Sequence, residues 1–218
     1  MQSSITTPQV ARLLDALYAD AAEVDPAAIQ AADGGDDQSE ADFYRAAANA
    51  YLPVGREFGN LLYVLARSIR AETIVEFGTS FGISTIFLAA AVRDQGSGRI
   101  ITTEFSPEKV ERAKKNLQAA GLEEWVEFRV GDAMQTLTAD LPGPIDLLLL
   151  DGAKGLYLSV LRLLEPRLRP GSLVASDNTN LDGMDVFLKY LRAPENGYTT
   201  SAILTDGVHR GHEISLRN

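Results

Sequence analysis

The chain of 218 residues is 45% hydrophobic, which is enough to build one sizeable core, and no shift in composition divides it into two. Its 30 acidic residues outnumber its 20 basic ones, and the formal net charge of -10 disfavours nucleic acid as a partner. The absence of cysteine excludes disulfides, thiolate catalysis and a Cys-based zinc site, and it fits a reducing compartment.

The sequence lacks the features that direct a chain to a membrane. No basic segment followed by an apolar one stands at its start, and its longest fully apolar runs are too short to span a bilayer. We therefore expect a soluble, cytoplasmic protein without a membrane partner.

Residues 1–50 predict a helical extension. Thr7 and Pro8 form an N-cap and first-turn pair, and apolar residues then recur at helical spacing. Asp25-Pro26 opens a short alanine-rich piece, the acidic run 33–40 predicts a surface loop, and 43–50 predicts a second helix.

Residues 51–218 predict one α/β domain. An amphipathic helix is expected near 58–69, and from residue 73 the period changes. The predicted strands are 73–77, 99–103, 126–130, 145–150 and 172–176, and the helices are 83–93, 107–120, 133–139, 156–168 and 184–191. This alternation predicts a mostly parallel sheet with helices on both faces, and two further strands, 198–204 and 212–216, predict a closing antiparallel hairpin.

The first strand runs into a helix through two glycines, in the stretch Val-Glu-Phe-Gly-Thr-Ser-Phe-Gly-Ile-Ser at 75–84. In doubly wound sheets, such a turn brings the backbone close to a bound nucleoside. The spacing of Gly78 and Gly82 departs from the Gly-x-Gly-x-x-Gly pattern of NAD-dependent dehydrogenases. This departure argues against that class of enzyme.

Acidic residues lie at or just after the carboxyl ends of the predicted strands, where ligands of such sheets bind. For any one of them, capping the next helix explains the residue about as well as a function does. Glu104 stands out because Ser106 and Pro107 already supply the cap there, which leaves its carboxylate free for ribose hydroxyls. The full set is Glu76, Glu104, Asp132, Asp151 and Asp177, the last followed by Asn178.

A second cluster comes from two strand ends that should be neighbours in the sheet. The carboxylates of Asp151 and Asp177 and the amide of Asn178 suit a hard cation such as Mg²⁺ better than zinc. Lys154 lies one turn beyond Asp151, and an ammonium close to a metal gives up its proton more readily, so it could act as a base. The alternative is an exposed lysine paired with a carboxylate.

Together these residues resemble the S-adenosylmethionine (SAM)-dependent, divalent-metal-dependent O-methyltransferases of the catechol and caffeoyl-coenzyme A type, including small bacterial members. The resemblance covers about residues 50–217. It rests on the order and spacing of the stretches 75–84, 101–104, 131–133, 150–154 with Tyr157, and 176–179.

The resemblance implies a Rossmann-like class I methyltransferase that methylates a hydroxyl of a small, catechol-like aromatic acceptor. It implies that Asp151, Asp177 and Asn178 hold Mg²⁺ or another divalent cation such as Mn²⁺ or Ca²⁺, and that Lys154 and Asp151 are catalytic, Lys154 helping to deprotonate the acceptor. It also implies a homodimer, with residues 1–50 as a lid or dimerisation element. The implied SAM contacts are Val54, Glu76, Gly78, Ser80, Ser84, Glu104, Asp132, Ala133, Asp151 and Tyr157.

Some residues depart from the family pattern or fall outside it. Many relatives carry a second acidic residue at Gly152 or Ala153, and their segment corresponding to 180–197, which helps to cover the acceptor pocket, is longer. His209 and His212 lie beside the hairpin turn and outside the matched ligand positions, so we expect them to be exposed to solvent, with a metal role as the second interpretation.

Two other functions stay open at this stage. One is N-methylation of an amine, disfavoured because the Asp/Asn-Pro-Pro-aromatic signature of amino-methylating enzymes of nucleic acids is replaced here by Asp-Gly-Ala-Lys at 151–154. The other is SAM binding without catalysis, which the complete set of Asp151, Asp177, Asn178 and Lys154 argues against.

Overall fold

The computed structural model describes residues 3–35, 38–205 and 210–218. The helices are α1 Pro8–Ala32, α2 Glu40–Ala46, α3 Arg56–Ser68, α4 Ile83–Gln95, α5 Pro107–Ala120, α6 Ala133–Thr136, α7 Tyr157–Leu164 and α8 Asp185–Arg192. The strands are β1 Thr73–Phe77, β2 Arg99–Glu104, β3 Val126–Val130, β4 Ile145–Leu150, β5 Leu168–Ser176, β6 Tyr198–Thr205 and β7 Arg210–Arg217. Residues 206–209, which include the predicted hairpin turn and His209, lie outside the described residues.

The seven strands form one sheet in the order β3-β2-β1-β4-β5-β7-β6. Strands β1 to β5 run parallel, whereas β7 is antiparallel to both β5 and β6. The predicted α/β fold, with its parallel sheet and closing hairpin, is confirmed. Because the chain moves outward from β1 to β3 and then returns to β4 on the other side of β1, strand order reverses between β1 and β4, where a crevice opens at the carboxyl ends.

Both faces of the sheet are covered, which explains the apolar run of residues 147–150 in β4. Leu147 and Leu149 pack into a cluster with α1, α3 and α4, while Leu148 and Leu150 face a second cluster formed with α7 and α8. A strand alternates its side chains between the two faces, so a strand that is buried on both is apolar at nearly every position. The exception in β4 is Asp146, which is paired with Arg169.

Helix α1 runs without a break through Pro26, so the prediction that Asp25-Pro26 begins a separate piece is wrong. Proline removes one internal helix hydrogen bond, but the stretch is anchored from outside. The buried carboxylate of Asp25 accepts hydrogen bonds from the backbone N–H groups of Tyr51, at 2.7 Å, and Leu52, at 2.9 Å.

The N-terminal extension shares its core with the rest of the chain. Val10, Leu14, Leu17 and Ala21 of α1 lie in the same apolar cluster as α3 and α4. The division at residue 50, the lid or dimerisation role and the homodimer stay predictions. No helix in the described part of the chain is both long enough and apolar enough to cross a membrane.

Candidate active site

A cavity of about 750 Å³ lies at the carboxyl ends of the central strands, where the strand order reverses. Its walls come from the β1–α4 turn, from the ends of β2 and β4, and from residues 41–54, which span the end of the N-terminal extension and the residues that follow it. Most of the predicted site residues line it, namely Val54, Gly78, Ser80, Ser84, Glu104, Asp132, Ala133, Asp151, Lys154 and Asn178.

The β1–α4 turn is held in a conformation that ordinary residues avoid. Gly78 has φ +104°, and a Cβ there would run into the backbone of Asp151, so only glycine fits. Ser80 also has a positive φ, of 46°, at a cost of roughly 1–3 kcal/mol. Its N–H donates to Glu104 Oε2 at 2.9 Å and its hydroxyl to the carbonyl of Tyr51 at 2.7 Å, so the turn is tied to β2 and to the N-terminal segment.

Glu104 makes more local bonds than the sequence suggests. Ser106 caps α5 as predicted, yet its N–H also donates to Glu104 Oε1 at 3.0 Å, while Ser80 bonds the other oxygen. A carboxylate offers about four acceptor positions, so roughly two remain for a ligand. The carboxylate is therefore oriented by the backbone and still able to accept two hydroxyl groups.

Glu76 lies behind the cavity wall rather than in it. It is fully buried, and it accepts hydrogen bonds of 2.6 Å from each of three hydroxyls, those of Ser84, Thr85 and Thr102. Burial raises the pKa of Glu76, although these hydroxyls counter part of that effect. Glu76 therefore supports Ser84 from behind the cavity wall. Its direct contact with SAM stays a prediction.

The predicted cation ligands come together at the ends of β4 and β5. Asp151 and Asn178 line the cavity, with Asn178 at φ +52°, and Asp177 lies directly behind them. Burial, and then the charge of Asp177, raise the pKa of Asp151 well above its ordinary value. Burial would also raise the pKa of Asp177, but the contact with His212 and the charge of Lys154 outweigh it and hold that pKa below the usual range.

This donor set fits a hard divalent cation. Two carboxylates and one amide oxygen are its preferred ligands, and two buried carboxylates side by side repel each other unless positive charge offsets them. Among the described residues, no group of three or more His, Cys, Asp or Glu side chains is arranged to hold a metal ion. A cation here would therefore depend on the Asn178 amide together with Asp151 and Asp177.

Lys154 is fixed between the two acids by a buried tyrosine. Its Nζ lies 3.7 Å from Asp151 Oδ1 and donates to the Tyr157 hydroxyl at 2.7 Å, and that hydroxyl donates to the Asp177 carbonyl at 3.1 Å. Tyr157 is fully buried, and burial raises its pKa well above the ordinary value. It does not line the cavity, so its predicted contact with SAM stays untested, and in the structure it positions Lys154.

His212 corrects the expectation of solvent exposure. It is fully buried, and its Nδ1 lies 2.7 Å from Asp177 Oδ1. The hairpin pattern placed it near a turn, but the antiparallel pairing of β7 with β5 brings its side chain against the end of β5. Three consecutive residues of β7 are buried, namely Gly211, His212 and Glu213. The alternation of buried and exposed residues that is usual in a strand therefore gives no clear signal that His212 is buried.

Glu40 is a second residue that sequence reasoning missed, because the acidic run 33–40 reads as a solvated loop. Its carboxylate accepts hydrogen bonds from the N–H groups of Lys154 and Gly155, the latter at 2.9 Å. Tyr44, one turn further along α2, donates to the carbonyl of Gly152 at 3.4 Å. These contacts hold α2 across the cavity next to Lys154.

The sheet order and the cavity define a doubly wound α/β protein with a cavity at the place where such sheets bind their ligands. Residues 75–179 match a family described as a methyltransferase domain. A catechol O-methyltransferase from Mycobacterium tuberculosis is 37% identical over 147 residues, which is 66% of this chain and 66% of that relative. A catechol O-methyltransferase from Niastella koreensis is 35% identical over 135 residues, 61% of this chain and 60% of the relative.

A solved structure of an O-methyltransferase has a similar fold. The O-methyltransferase TomG from Streptomyces achromogenes, in complex with SAM, matches with a TM-score of 0.70 and 26% identity, covering 91% of this chain and 99% of that one. In sequence and in fold, the chain is therefore similar to SAM-dependent O-methyltransferases. It spans less than two thirds of the length of the two curated relatives.

Proposed function

We propose that the protein transfers a methyl group from SAM to one hydroxyl of a small aromatic acceptor with two neighbouring hydroxyls, assisted by a divalent cation. One observation carries this proposal. A single cavity joins a nucleoside-type half, around Gly78 and Glu104, to a half lined by Lys154 and Asn178, and Asp151 lies between the two.

The first half suits SAM in shape and in charge. The positively charged sulfonium of SAM is favoured beside acidic walls, and the glycine turn lets the backbone approach the ligand closely. Glu104 would accept the ribose hydroxyls with its remaining lone pairs, and residues 132–133 would border the adenine. Val54, Gly78 and Ser84 would contact the methionine end.

The second half suits an acidic hydroxyl. Asp151, Asp177 and Asn178 would hold the cation, which when bound supplies positive charge that favours the ionised hydroxyl and a fixed geometry for the acceptor oxygens. Lys154, held by Tyr157, would take the hydroxyl proton.

Residues 41–54 would exclude water and select an aromatic acceptor. Phe43, Tyr44 and Leu52 line the cavity, and the lining is mostly apolar. Displacement at a methyl group needs the two reactants held in line, and apolar walls around the acceptor restrict its motion.

A set of matched acceptors tests the proposal. Purified protein is incubated with SAM and catechol, phenol or 1,2-diaminobenzene, and S-adenosylhomocysteine (SAH) and methylated products are measured by mass spectrometry. We expect methylation of a catechol oxygen, a rate on phenol lower by about tenfold or more, and a loss of about 100-fold in excess chelator.

Three results would contradict parts of the proposal. Preferred methylation of the diamine would favour an N-methyltransferase. A rate unchanged by chelator would remove the role of the cation. SAH binding without turnover of any acceptor in the set would favour a binding protein or a different acceptor class.

A further inference from the structure

The imidazole of His212 is held on three sides. Its ring stacks on Phe58 of α3 with a centroid distance of 3.8 Å and an interplanar angle of 6°. Its Nε2 lies 2.7 Å from the hydroxyl of Thr205 at the end of β6, and its Nδ1 lies 2.7 Å from Asp177 Oδ1. Elements from both sides of β7 therefore fix the ring in one orientation.

The contact with Asp177 has no substitute nearby. The two atoms face each other at 2.7 Å but outside hydrogen-bond geometry, and in the part of the chain that the structure describes neither Asp177 Oδ1 nor His212 Nδ1 has a hydrogen-bond partner. A buried carboxylate oxygen without a donor is costly, so this pairing determines how the carboxyl group of Asp177 is turned.

The donors and acceptors of Asp177, His212 and Thr205 are complementary. With a proton on Nδ1, the imidazole accepts the hydroxyl proton of Thr205 at Nε2 and carries an N–H that a small rotation would aim at Asp177 Oδ1. The ring then serves both neighbours, and Asp177 also bonds the carboxyl group of Asp151, on the side where a cation would bind. A partner of this kind orients a metal ligand without touching the metal.

We propose that His212 is a positioning residue for the cation site, fixing the carboxylate of Asp177 so that its other oxygen can ligate the cation together with Asp151 and Asn178. This inference rests on the proposed function and deepens it. It assigns the β6–β7 hairpin, which lies outside the matched ligand positions, a part in cation binding.

Cation binding measured without turnover tests this role. Mn²⁺ is titrated into the full chain and the free ion is followed by electron paramagnetic resonance, while SAH affinity is measured in parallel. His212→Phe keeps an aromatic ring against Phe58 and removes the donor, and we expect its Kd for Mn²⁺ to rise by at least about tenfold with SAH affinity within about twofold.

Two further variants separate positioning from packing. His212→Asn keeps an N–H near the place of Nδ1 and loses the stacked ring, so its Mn²⁺ affinity should stay within about threefold of the wild type. Phe58→Leu removes the stacking partner alone, and it should lower the melting temperature while leaving Mn²⁺ affinity near the wild-type value.

Equal Mn²⁺ affinity in His212→Phe and the wild type would overturn the inference. So would a joint loss of Mn²⁺ and SAH binding in both His212 variants, because that pattern marks a structural role. A wild-type protein that binds SAH but no Mn²⁺ would instead refute the cation part of the proposed function, and this outcome is visible before any variant is made.

Discussion

Asp151 bears an electrostatic cost in the protein without a cation. Burial and the adjacent Asp177 raise its pKa, because the ionised form is poorly solvated and faces a like charge. Lys154 offsets only part of this cost, at 3.7 Å from one oxygen. A residue that lowers stability in order to create a binding site is expected where function and stability compete.

Asp151→Asn should therefore stabilise the cation-free protein. At neutral pH we expect the free energy of unfolding in chelator to rise by about 1–2 kcal/mol, because the amide keeps the shape and removes the charge. The folded-state pKa of Asp151 lies above the unfolded value of about 4, so the wild type loses stability as pH rises from there through the folded-state pKa. The gain of the variant should vanish below about pH 4.

Urea unfolding of both proteins in chelator across this pH range checks the prediction. Asp140→Asn is the matched control, since Asp140 is exposed, and it should change stability little. A destabilised Asp151→Asn at neutral pH would mean that the carboxylate is needed for folding rather than for binding.

Tyr157→Phe should reduce turnover more than binding. The variant keeps the ring packed between Phe77 and Phe187 but removes the hydroxyl that holds Lys154. We expect kcat to fall by about tenfold and SAH affinity to stay within about twofold, because an unheld base spends less time in reach of the acceptor.

Steady-state kinetics and SAH titration measure this split. Tyr190→Phe removes a tyrosine hydroxyl that bonds Glu165 rather than a cavity residue and should leave both quantities unchanged. An unaltered kcat in Tyr157→Phe would show that Lys154 needs no support from Tyr157.

At the scale of secondary-structure elements, α2 is held over the cavity by a small number of contacts, among which those of the Glu40 carboxylate are the shortest. None of its residues is fully buried, although Phe43 packs against the small apolar cluster of Ala32, Ala47 and Ala50. Glu40 accepts two N–H groups of the 3-10 turn Lys154–Leu156 that leads into α7, a position that favours negative charge.

Glu40→Gln should release α2. The amide offers one oxygen in place of two, so one of the two N–H groups loses its acceptor, and we expect the KM for the acceptor to rise by about 3- to 10-fold with kcat within about twofold. Glu23→Gln on the exposed side of α1 is the control for the charge change. A lower KM in the variant would mean that α2 obstructs the acceptor.

The packing of α3 on α4 leaves no room at Gly59. A Cβ there would lie 2.5 Å from the ring of Phe87, so Gly59→Ala should cost about 1–3 kcal/mol in the free energy of unfolding. The neighbouring Asn60→Ala, at an exposed helix position, should change stability little. Urea unfolding measures the stability of the two variants, and equal free energies of unfolding would contradict the close packing of α3 on α4.

At the scale of the whole molecule, the parallel sheet could be predicted from sequence because its signals are local. Strands β1, β3 and β4 begin and end where period and composition predict. The prediction failed where a distant contact overrides a local signal, as at Pro26, where Asp25 is tied to the segment around Tyr51. It also extended α6 past Thr136, where the helix ends.

The candidate site could likewise be predicted from the sequence only in part. Acidic residues at strand ends could be predicted to meet, because parallel strands bring their carboxyl ends to one edge of the sheet. His212 and Glu40 could not, since His212 reaches Asp177 through antiparallel pairing and Glu40 contacts Lys154 across 114 residues of sequence. Such contacts have no local pattern.

A crystal structure with SAH and Mn²⁺ tests the central claim most directly, because anomalous scattering locates the ion independently of the refined protein atoms. We expect SAH beside Gly78 and Glu104, and an ion within about 2.0–2.3 Å of oxygens from Asp151, Asp177 and Asn178. SAH bound outside this cavity, or an ion that avoids these three residues, would contradict the account.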